Sequence, residues 1–430
     1  MPDAPDHRDP STQPVLRGDP ITGDRYWSPV WMEREWERVW TRVWHIAGRT
    51  RDLPEPGDFV VHNLRRESVL VVRQQDGSIK AFYNVCQHRG NRLVWAEAGG
   101  MPAFTCAYHG WRYGLDGTLE AVQDPDDFDG GNPCGRLRLK EVPCAVWQGF
   151  VWYSMDPEAR PLLDWLDPIP RLLQNRDMES MIRVVHRVGE ADTNWKFAPD
   201  NFNESYHLPS VHPQMAAYID EDYRDTLFEM HPGGHNRMVI KSRPSQRLSE
   251  ANAPDPLFDA IMQAWDLDPA AFRGRRHEAR LAVQQQKRRL GPARGYHHFD
   301  RLADAELTDY FHHTLFPNVT ITANPDGVNL FRTEPHPTDP NKCIFEYWFM
   351  VPPVASMAEI MTIAGKRPLV EAPLERVTSF GGFVDQDLGV APYQQLGFHS
   401  RGYKDAVLSR QENRVRRFHE VLNDHIEGRR

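Results

Sequence analysis

Long apolar runs are missing from this sequence. No stretch of its 430 residues approaches the ~18 consecutive apolar side chains that a membrane span needs, so no spanning helix is expected. The opening stretch, MPDAPDHRDPSTQP, has no apolar core of the kind a secretory signal carries, so none is expected there. An excess of basic charge is missing too: 51 Lys and Arg stand against 60 Asp and Glu, a net charge of −9, which argues against a nucleic-acid partner. Cysteine is scarce. Cys86, Cys106, Cys134, Cys144 and Cys343 are an odd, sparse set that does not read as a disulfide framework, and the expected compartment is reducing cytosol. No GxGxxG-type loop follows a predicted strand, so the chain is not expected to hold its own nicotinamide.

What is present is a globular composition, 40% hydrophobic and 26% charged, at a length that suggests two to three domains. Residues 1–20 are polar and Pro-rich and read as a loose arm. Ser28-Pro29 starts a helix, in which Met32, Trp36, Val39, Trp40 and Val43 recur at helical spacing. From about 45 to 160, short apolar runs alternate with turn signals such as Asp76-Gly77 and Asp116-Gly117, the pattern of a small all-β module. Val69–Val72 and Ala81–Tyr83 read as one hairpin. Pro157 and Pro161 mark the end of the module. Further on, 254–290 looks helical, with Gln284–Arg289 as a solvated face. Val319–Ala323, Gly327–Thr333 and Ile344–Val351 look like long antiparallel strands. Ser409-Arg410-Gln411-Glu412 is a capping box opening a last helix, buried along Val415, Phe418, Val421 and Leu422 and stopped at Gly428.

Two short motifs carry the chemistry of the β module. Cys86-Gln87-His88 and Cys106-Ala107-Tyr108-His109 each sit on a loop right after a predicted strand, and Gly90 and Gly110 let each loop turn back. Two thiolates and two imidazoles on two loop tips make a four-ligand metal site. Zinc takes such a set, but a zinc finger usually offers a Cys pair on one arm and a His pair on the other. Here each arm offers one of each. A Rieske [2Fe–2S] cluster takes two Cys on one iron and two His on the other, and the interleaved arms suit it better.

CQHRGNRL followed by CAYHGWRYGLDG resembles the Rieske domain of the ring-hydroxylating oxygenase α subunits, and the resemblance extends over roughly residues 25–425. It implies Cys86, His88, Cys106 and His109 as cluster ligands. High-potential Rieske proteins carry an extra cysteine in each loop and a serine donor near the cluster; Tyr108 and Trp111 stand in such places here, which implies a lower potential. Cys134 and Cys144 are left as ordinary buried cysteines.

The second constellation is Asp200-Asn201-Phe202-Asn203-Glu204-Ser205-Tyr206-His207-Leu208-Pro209-Ser210-Val211-His212. Pro209 disfavours helix at Leu208, so a helix is expected to end near His207 and let His212 swing back toward it. A His-x₄-His pair alone is a weak signal; beside a Rieske motif it points to the two-His, one-carboxylate triad of non-haem Fe(II) oxygenases. In the resembled family the carboxylate lies a short distance before a Gln-x-Gly element, which here is Gln395-Leu396-Gly397. That alignment implies Asp387 as the ligand and Asp385 as the runner-up. It also implies that Glu204, three residues before His207, bridges an iron-ligating His to a cluster-ligating His of the neighbouring subunit. The family usually has Asp there. Glu occurs in relatives that act on quaternary amines, so the substrate class stays open. Asp200 and Asn201 are expected beside the ligands rather than among them.

The expected fold is α+β: an all-β Rieske domain over 45–160 and a helix-grip catalytic domain over 161–430, a curved antiparallel sheet gripping a helix. Residues 1–44 pack on the latter. The resemblance implies an oxygenase that uses O₂, a [2Fe–2S] cluster and mononuclear Fe(II), fed by a separate NAD(P)H-dependent reductase, with or without a ferredoxin. It implies a head-to-tail ring of three subunits, alone, stacked in pairs or with a small β subunit, and a small aromatic or other hydrophobic substrate. A betaine-like substrate of a monooxygenase or demethylase is the alternative. Two rivals remain: a pure electron carrier, which leaves Glu204, His207 and His212 without a role, and a substrate-binding protein of the same fold that has lost activity, against which the complete ligand set argues.

Overall fold

Side chains on a β-strand alternate between its two faces, so residues i and i+2 meet the same surroundings. This alternation organises the larger part of the chain. A computed structural model describes residues 13–248, 256–354 and 369–430. It contains an eight-stranded sheet in the spatial order Leu227–Met230, Asn236–Ile240, Tyr310–Leu315, Val319–Asn324, Gly327–Pro335, Cys343–Val351, Ile182–Ala191, Glu375–Arg376. Its pairings are antiparallel except the last, where Arg187 and Val188 run parallel to Glu375 and Arg376. The three long strands expected from sequence are there, each extended by one or two residues. On one face, Thr314 Oγ1 donates to Asn203 Oδ1 at 2.8 Å and Thr333 Oγ1 donates to the Trp195 carbonyl at 2.9 Å, which ties the segment around helix Phe197–Phe202 to the sheet.

Two compact units divide the chain. One is Trp36–Trp165; the other is Leu166–Arg430 together with the N-terminal residues as far as Glu35. These limits differ from the 44/45 and 160/161 expected from sequence. The stripe Met32–Val43 is not one α-helix. It is α over Pro29–Glu35 and then widens to a π turn over Trp36–Trp40, with the Thr41 N–H on the Trp36 carbonyl. Trp36 lies under Arg65 and Arg66 of the first unit.

Trp36–Trp165 is all β: a five-stranded sheet, Ala98–Gly100, Asp58–Leu64, Glu67–Arg73, Ile79–Tyr83, Glu141–Val142, and two three-stranded sheets. The expected hairpin around Asp76-Gly77 forms, with Val71 opposite Ala81. Phe59, Leu70, Phe82, Phe104, Trp111 and Tyr113 pack with Cys86 and Cys106 in one core. Cys134 and Cys144 are half-buried free thiols, not buried ones.

Other expectations shift for local reasons. Of the arm, residues 1–12 lie outside the described residues, and the rest is not loose: the Arg17 and Gly18 N–H groups donate to Glu420 Oε1 at 2.6 and 2.8 Å. Residues 254–255 of the expected helical stretch also lie outside the described residues. The remainder is two helices, Pro256–Ala264 and Arg276–Leu290, separated by Asp268-Pro269. Gln284–Arg289 is not a solvated face throughout. Gln284 and Lys287, three apart on one helix side, are buried, and Lys287 Nζ meets Asp326 Oδ2 at 2.5 Å. The Ser409/Glu412 capping box forms, and Val415, Phe418, Val421 and Leu422 are buried along Asn413–Ile426.

The N-terminal helix is held by a buried ion pair. Lys196 Nζ lies 2.7 Å from Glu35 Oε1, both side chains being almost wholly inaccessible, and Trp195 Nε1 donates to Glu35 Oε2 at 2.8 Å. Removing one partner leaves a buried charge uncompensated. Glu35→Ala is therefore expected to lower the unfolding free energy by about 3–5 kcal/mol, and the double variant Glu35→Leu/Lys196→Met should regain most of it. Thermal and denaturant melts check this; a transition unmoved by Glu35→Ala would remove the pair from the fold's support.

Candidate metal centres

The two Cys/His loops are built alike. In each, the cysteine N–H donates to the carbonyl five residues on (Asn91 at 2.8 Å, Trp111 at 2.8 Å), and the glycine four residues on returns its N–H to the cysteine carbonyl. Gly90 and Gly110 adopt φ +73° and +69°, a left-handed conformation that favours glycine. The loops bring His88 and His109 together, with ring centroids 4.6 Å apart, and His88 stacks on Trp111 at 4.7 Å. Cys86 and Cys106 are buried, half-exposed Tyr108 covers His109, and both thiols are free. Two sulfur neighbours escape sequence reasoning. The Tyr113 hydroxyl lies 3.3 Å from Cys86 Sγ, and Asn91 Nδ2 donates to Cys106 Sγ at 3.6 Å. Tyr113 is two residues past Trp111, a spacing that puts a strand residue back on the loop's side. Burial raises the Cys86 thiol. At Cys106 burial opposes ionisation, but the Tyr108 and His109 N–H groups and the Cys86 thiol outweigh it and lower the pKa.

His207, His212 and Asp387 form the second group. One ligand atom from each lies within 4.8 Å of the others. The expected helix does not run to His207. It ends at Phe202, a turn follows, and Pro209 sits in the first turn of a new helix, Leu208–Val211, where a missing N–H costs nothing. His212 closes that short helix. Asp387 comes from helix Gly382–Phe398, whose buried stripe is Val384, Asp387, Ala391, Gln395 and Phe398. Gln395 fixes this helix by accepting the Asn194 N–H at 3.0 Å.

The hydrogen bonds set which ring nitrogens point inward. His207 Nδ1 donates to Glu204 Oε1 at 2.7 Å, and His212 Nδ1 donates to Gln386 Oε1 at 2.8 Å. Both Nε2 atoms turn to Asp387 Oδ1, at 3.7 Å and 2.8 Å. Two imidazoles oriented through their outer nitrogens, with a carboxylate between the inner ones, fit a divalent metal of the non-haem iron type. Gln386 is missed by sequence reasoning, although its place beside Asp387 is a signal. Asp385 points away: it accepts from Ser379 Oγ and from the Phe380 and Gly381 N–H groups at 2.6–3.0 Å, holding the start of the helix. Glu204 does two jobs, since its Oε2 also accepts the N–H groups of Tyr206 and His207. Burial pulls the His207 pKa down, but its hydrogen bond to Glu204 and the charges of Glu204 and Asp387 outweigh it and raise the pKa. Asp200 bonds the Tyr26 hydroxyl at 2.6 Å and His419 Nε2 at 3.0 Å, and Asn201 lines the cavity beside the triad.

That cavity holds about 470 Å³, a volume suited to a small organic molecule. Phe202, Phe331, Tyr347 and Phe383 wall it, with Phe202 stacked on Phe331 and Phe331 on Tyr347 at 4.7 and 5.0 Å. His312 lies on its floor, with Nδ1 at 2.6 Å from Thr322 Oγ1, and is held neutral, its pKa pushed down to about 3, first by burial and then by Arg414.

The family described as Ring hydroxylating alpha subunit (catalytic domain) matches residues 176–428, and the Rieske [2Fe-2S] domain matches residues 43–143. The chain belongs to the ring-hydroxylating oxygenase α-subunit family. Its cofactors are accordingly a Rieske [2Fe–2S] cluster and a mononuclear non-haem iron, with O₂ as co-substrate. The large oxygenase component of the naphthalene 1,2-dioxygenase system of Pseudomonas putida is 39% identical over 168 residues, 37% of each chain. The glycine betaine monooxygenase oxygenase subunit of Pseudomonas aeruginosa is 32% identical over 174 residues, 40% of each chain. The matched segment thus spans well under half the length of these relatives. Naphthalene 1,2-dioxygenase from Rhodococcus sp., solved with indole, shares the fold at a TM-score of 0.68 and 21% identity, over 95% of this chain and 94% of that one. A quaternary ammonium Rieske monooxygenase does so at 0.69 and 18%, over 94% and 95%. No helix among the described residues is long and apolar enough to cross a membrane.

Three substitutions separate these roles. Asp387→Ala should abolish anaerobic Fe(II) binding at the second group. Gln386→Ala should weaken it about 10–100-fold, as loss of an outer hydrogen bond to a metal-bound His does. Asp385→Ala should leave it intact. Equilibrium dialysis decides, and iron lost with Asp385 but kept without Asp387 would reverse the assignment.

Proposed function

We propose that the chain is a terminal oxygenase that hydroxylates or dihydroxylates an aromatic or other hydrophobic substrate. It would use O₂ and electrons relayed from NAD(P)H by a separate reductase, with or without a ferredoxin. The observation that carries the reading is the His207–His212–Asp387 group opening onto an aromatic-walled cavity, in a chain that also brings His88 and His109 together beside two buried thiols. Cys86 and Cys106 would hold one iron of the cluster and His88 and His109 the other; His207, His212 and Asp387 would hold the mononuclear iron. When bound, these groups supply single electrons and a centre that activates O₂ for insertion into a C–H bond or an aromatic double bond. The chain's own side chains do the rest. Glu204 and Gln386 keep the protons of His207 and His212 on Nδ1. The aromatic walls orient the substrate and exclude water.

Glu204 also lines a cleft of about 500 Å³ together with Asp200, Val211 and Tyr393. Tyr206, Val390, Tyr393 and Leu396 are exposed apolar side chains on the same segments. This supports a head-to-tail contact there, in which the remaining lone pairs of Glu204 accept the His109 ring N–H of the next subunit. Such a contact closes into a ring of three, alone, stacked or with a small β subunit, working in the cytosol. One observation favours a second reading, oxidative demethylation of a quaternary amine: position 204 is Glu rather than the family's usual Asp.

Reduced protein exposed to ¹⁸O₂ should place label in the product of an aromatic substrate in a single turnover. Unlabelled outcomes across aromatic, steroidal and betaine-like compounds would overturn the reading. Glu204→Gln keeps shape and one acceptor but loses the charge, and charge-assisted hydrogen bonds are about twice as strong as neutral ones. Both metal centres should still assemble, while single-turnover product formation falls by orders of magnitude. A wild-type rate would remove Glu204 from the transfer between subunits.

A further inference from the structure

We propose that Arg187 selects the substrate, and that the molecule it selects is an aromatic body carrying a carboxylate. This rests on the oxygenase reading of the cavity and names its substrate class. Apart from Glu204, His207, His212 and Asp387, Arg187 is the one charged or readily charged side chain besides neutral His312 among the described residues lining that cavity. It shares a strand face with Val185, and its cross-strand partner is Tyr347, which stacks on Phe331. A cation thus closes one end of a row of aromatic faces, a row that continues through Phe331 to Phe202.

The guanidinium is anchored but not used up. Nη1 donates to the Phe380 carbonyl at 2.6 Å, and Nε donates to Glu375 Oε2 at 3.2 Å. Of its five N–H donors, the others have no acceptor among the described residues. Glu375 is 43% exposed and does not line the cavity, so solvent weakens its hold on the charge. An anchored planar fork with spare donors suits a carboxylate, which it meets through two parallel hydrogen bonds.

The floor of the cavity separately calls for a polar atom on the substrate. Asn324 Oδ1 is a buried acceptor with no hydrogen-bond donor among the described residues, whereas buried His312 also meets the Phe202 backbone. A bare hydrocarbon would leave that oxygen dry, whereas a substrate that also carries a hydrogen-bond donor can meet it. A trimethylammonium group would find aromatic faces, but it would also meet Arg187 and, among the described residues lining the cavity, no carboxylate beyond those at the metal group.

The test is calorimetric binding to the anaerobic holoenzyme with naphthalene-2-carboxylate, naphthalene-2-carboxamide and phenyltrimethylammonium. The carboxylate should bind about tenfold or more tightly than the carboxamide, and the cation should bind most weakly. Arg187→Met should cost the carboxylate about 10–100-fold in affinity and leave the carboxamide nearly unchanged. Arg187→Lys, which keeps the charge without the fork, should fall between. Unchanged visible spectra and melting temperatures show that the variants are folded, and the wild-type ligand series stands without them. Equal or tighter binding of the carboxamide or the cation to the wild type, or a carboxylate affinity unmoved by Arg187→Met, would overturn the proposal. Because binding is read without turnover, loss of this preference leaves the oxygenase reading standing. Protein that binds the carboxylate but never incorporates labelled oxygen has the opposite meaning.

Discussion

An imidazole can offer a metal either of two nitrogens, and the bond made by the other decides which. In this chain the decision is made by two side-chain oxygens, Glu204 Oε1 and Gln386 Oε1, each holding one histidine Nδ1. With those bonds in place both Nε2 atoms face Asp387; without them the rings could turn and the three donors would no longer converge. The cavity, the triad and the cleft beyond Glu204 are all arranged around this pair of bonds. Glu204 is the costlier of the two to replace, because it also receives the Tyr206 and His207 N–H groups and so shapes the turn that carries His207.

The scaffold delivers these groups by simple means. Strand alternation puts Arg187, His312, Thr322, Asn329, Phe331 and Tyr347 on one face of the eight-stranded sheet, where they meet the cavity. Helix periodicity puts Asp387 and Gln395 on one buried stripe, so the bond that ties Gln395 to Asn194 also fixes the height of Asp387. In the β unit, two loops of the same backbone hydrogen-bond pattern bring their histidines together, and the His stands two residues after Cys86 but three after Cys106.

Much of this was legible beforehand because it is carried by local spacing. The Cys/His loops, the His207/His212 pair, the long strands and the Ser409 capping box are short-range patterns with one physical meaning each. The errors arose where distant partners decide. Pro209 marks a helix end by local sequence, but the fold uses it at the start of the next helix. The Trp-rich stripe has the spacing of one helix, but Trp36 belongs with Arg65 and Arg66 and the backbone widens there to a π turn. Lys287 looked solvated until Asp326, from another element, took it inside. Gln386, Tyr113 and Arg187 were missed because a lone polar residue declares nothing until the sheet or helix shows what it faces.

The central claim is that one chain builds two unlike iron sites, a sulfur–imidazole pair of loops and an imidazole–carboxylate triad. Mössbauer spectroscopy of the ⁵⁷Fe-reconstituted protein, with iron and acid-labile sulfide counted on the same sample, tests it most directly. The account predicts two irons of the cluster with unequal sulfur and nitrogen surroundings, one separate high-spin ferrous iron, and sulfide matching the cluster alone. A single iron environment, or iron without sulfide, would contradict it.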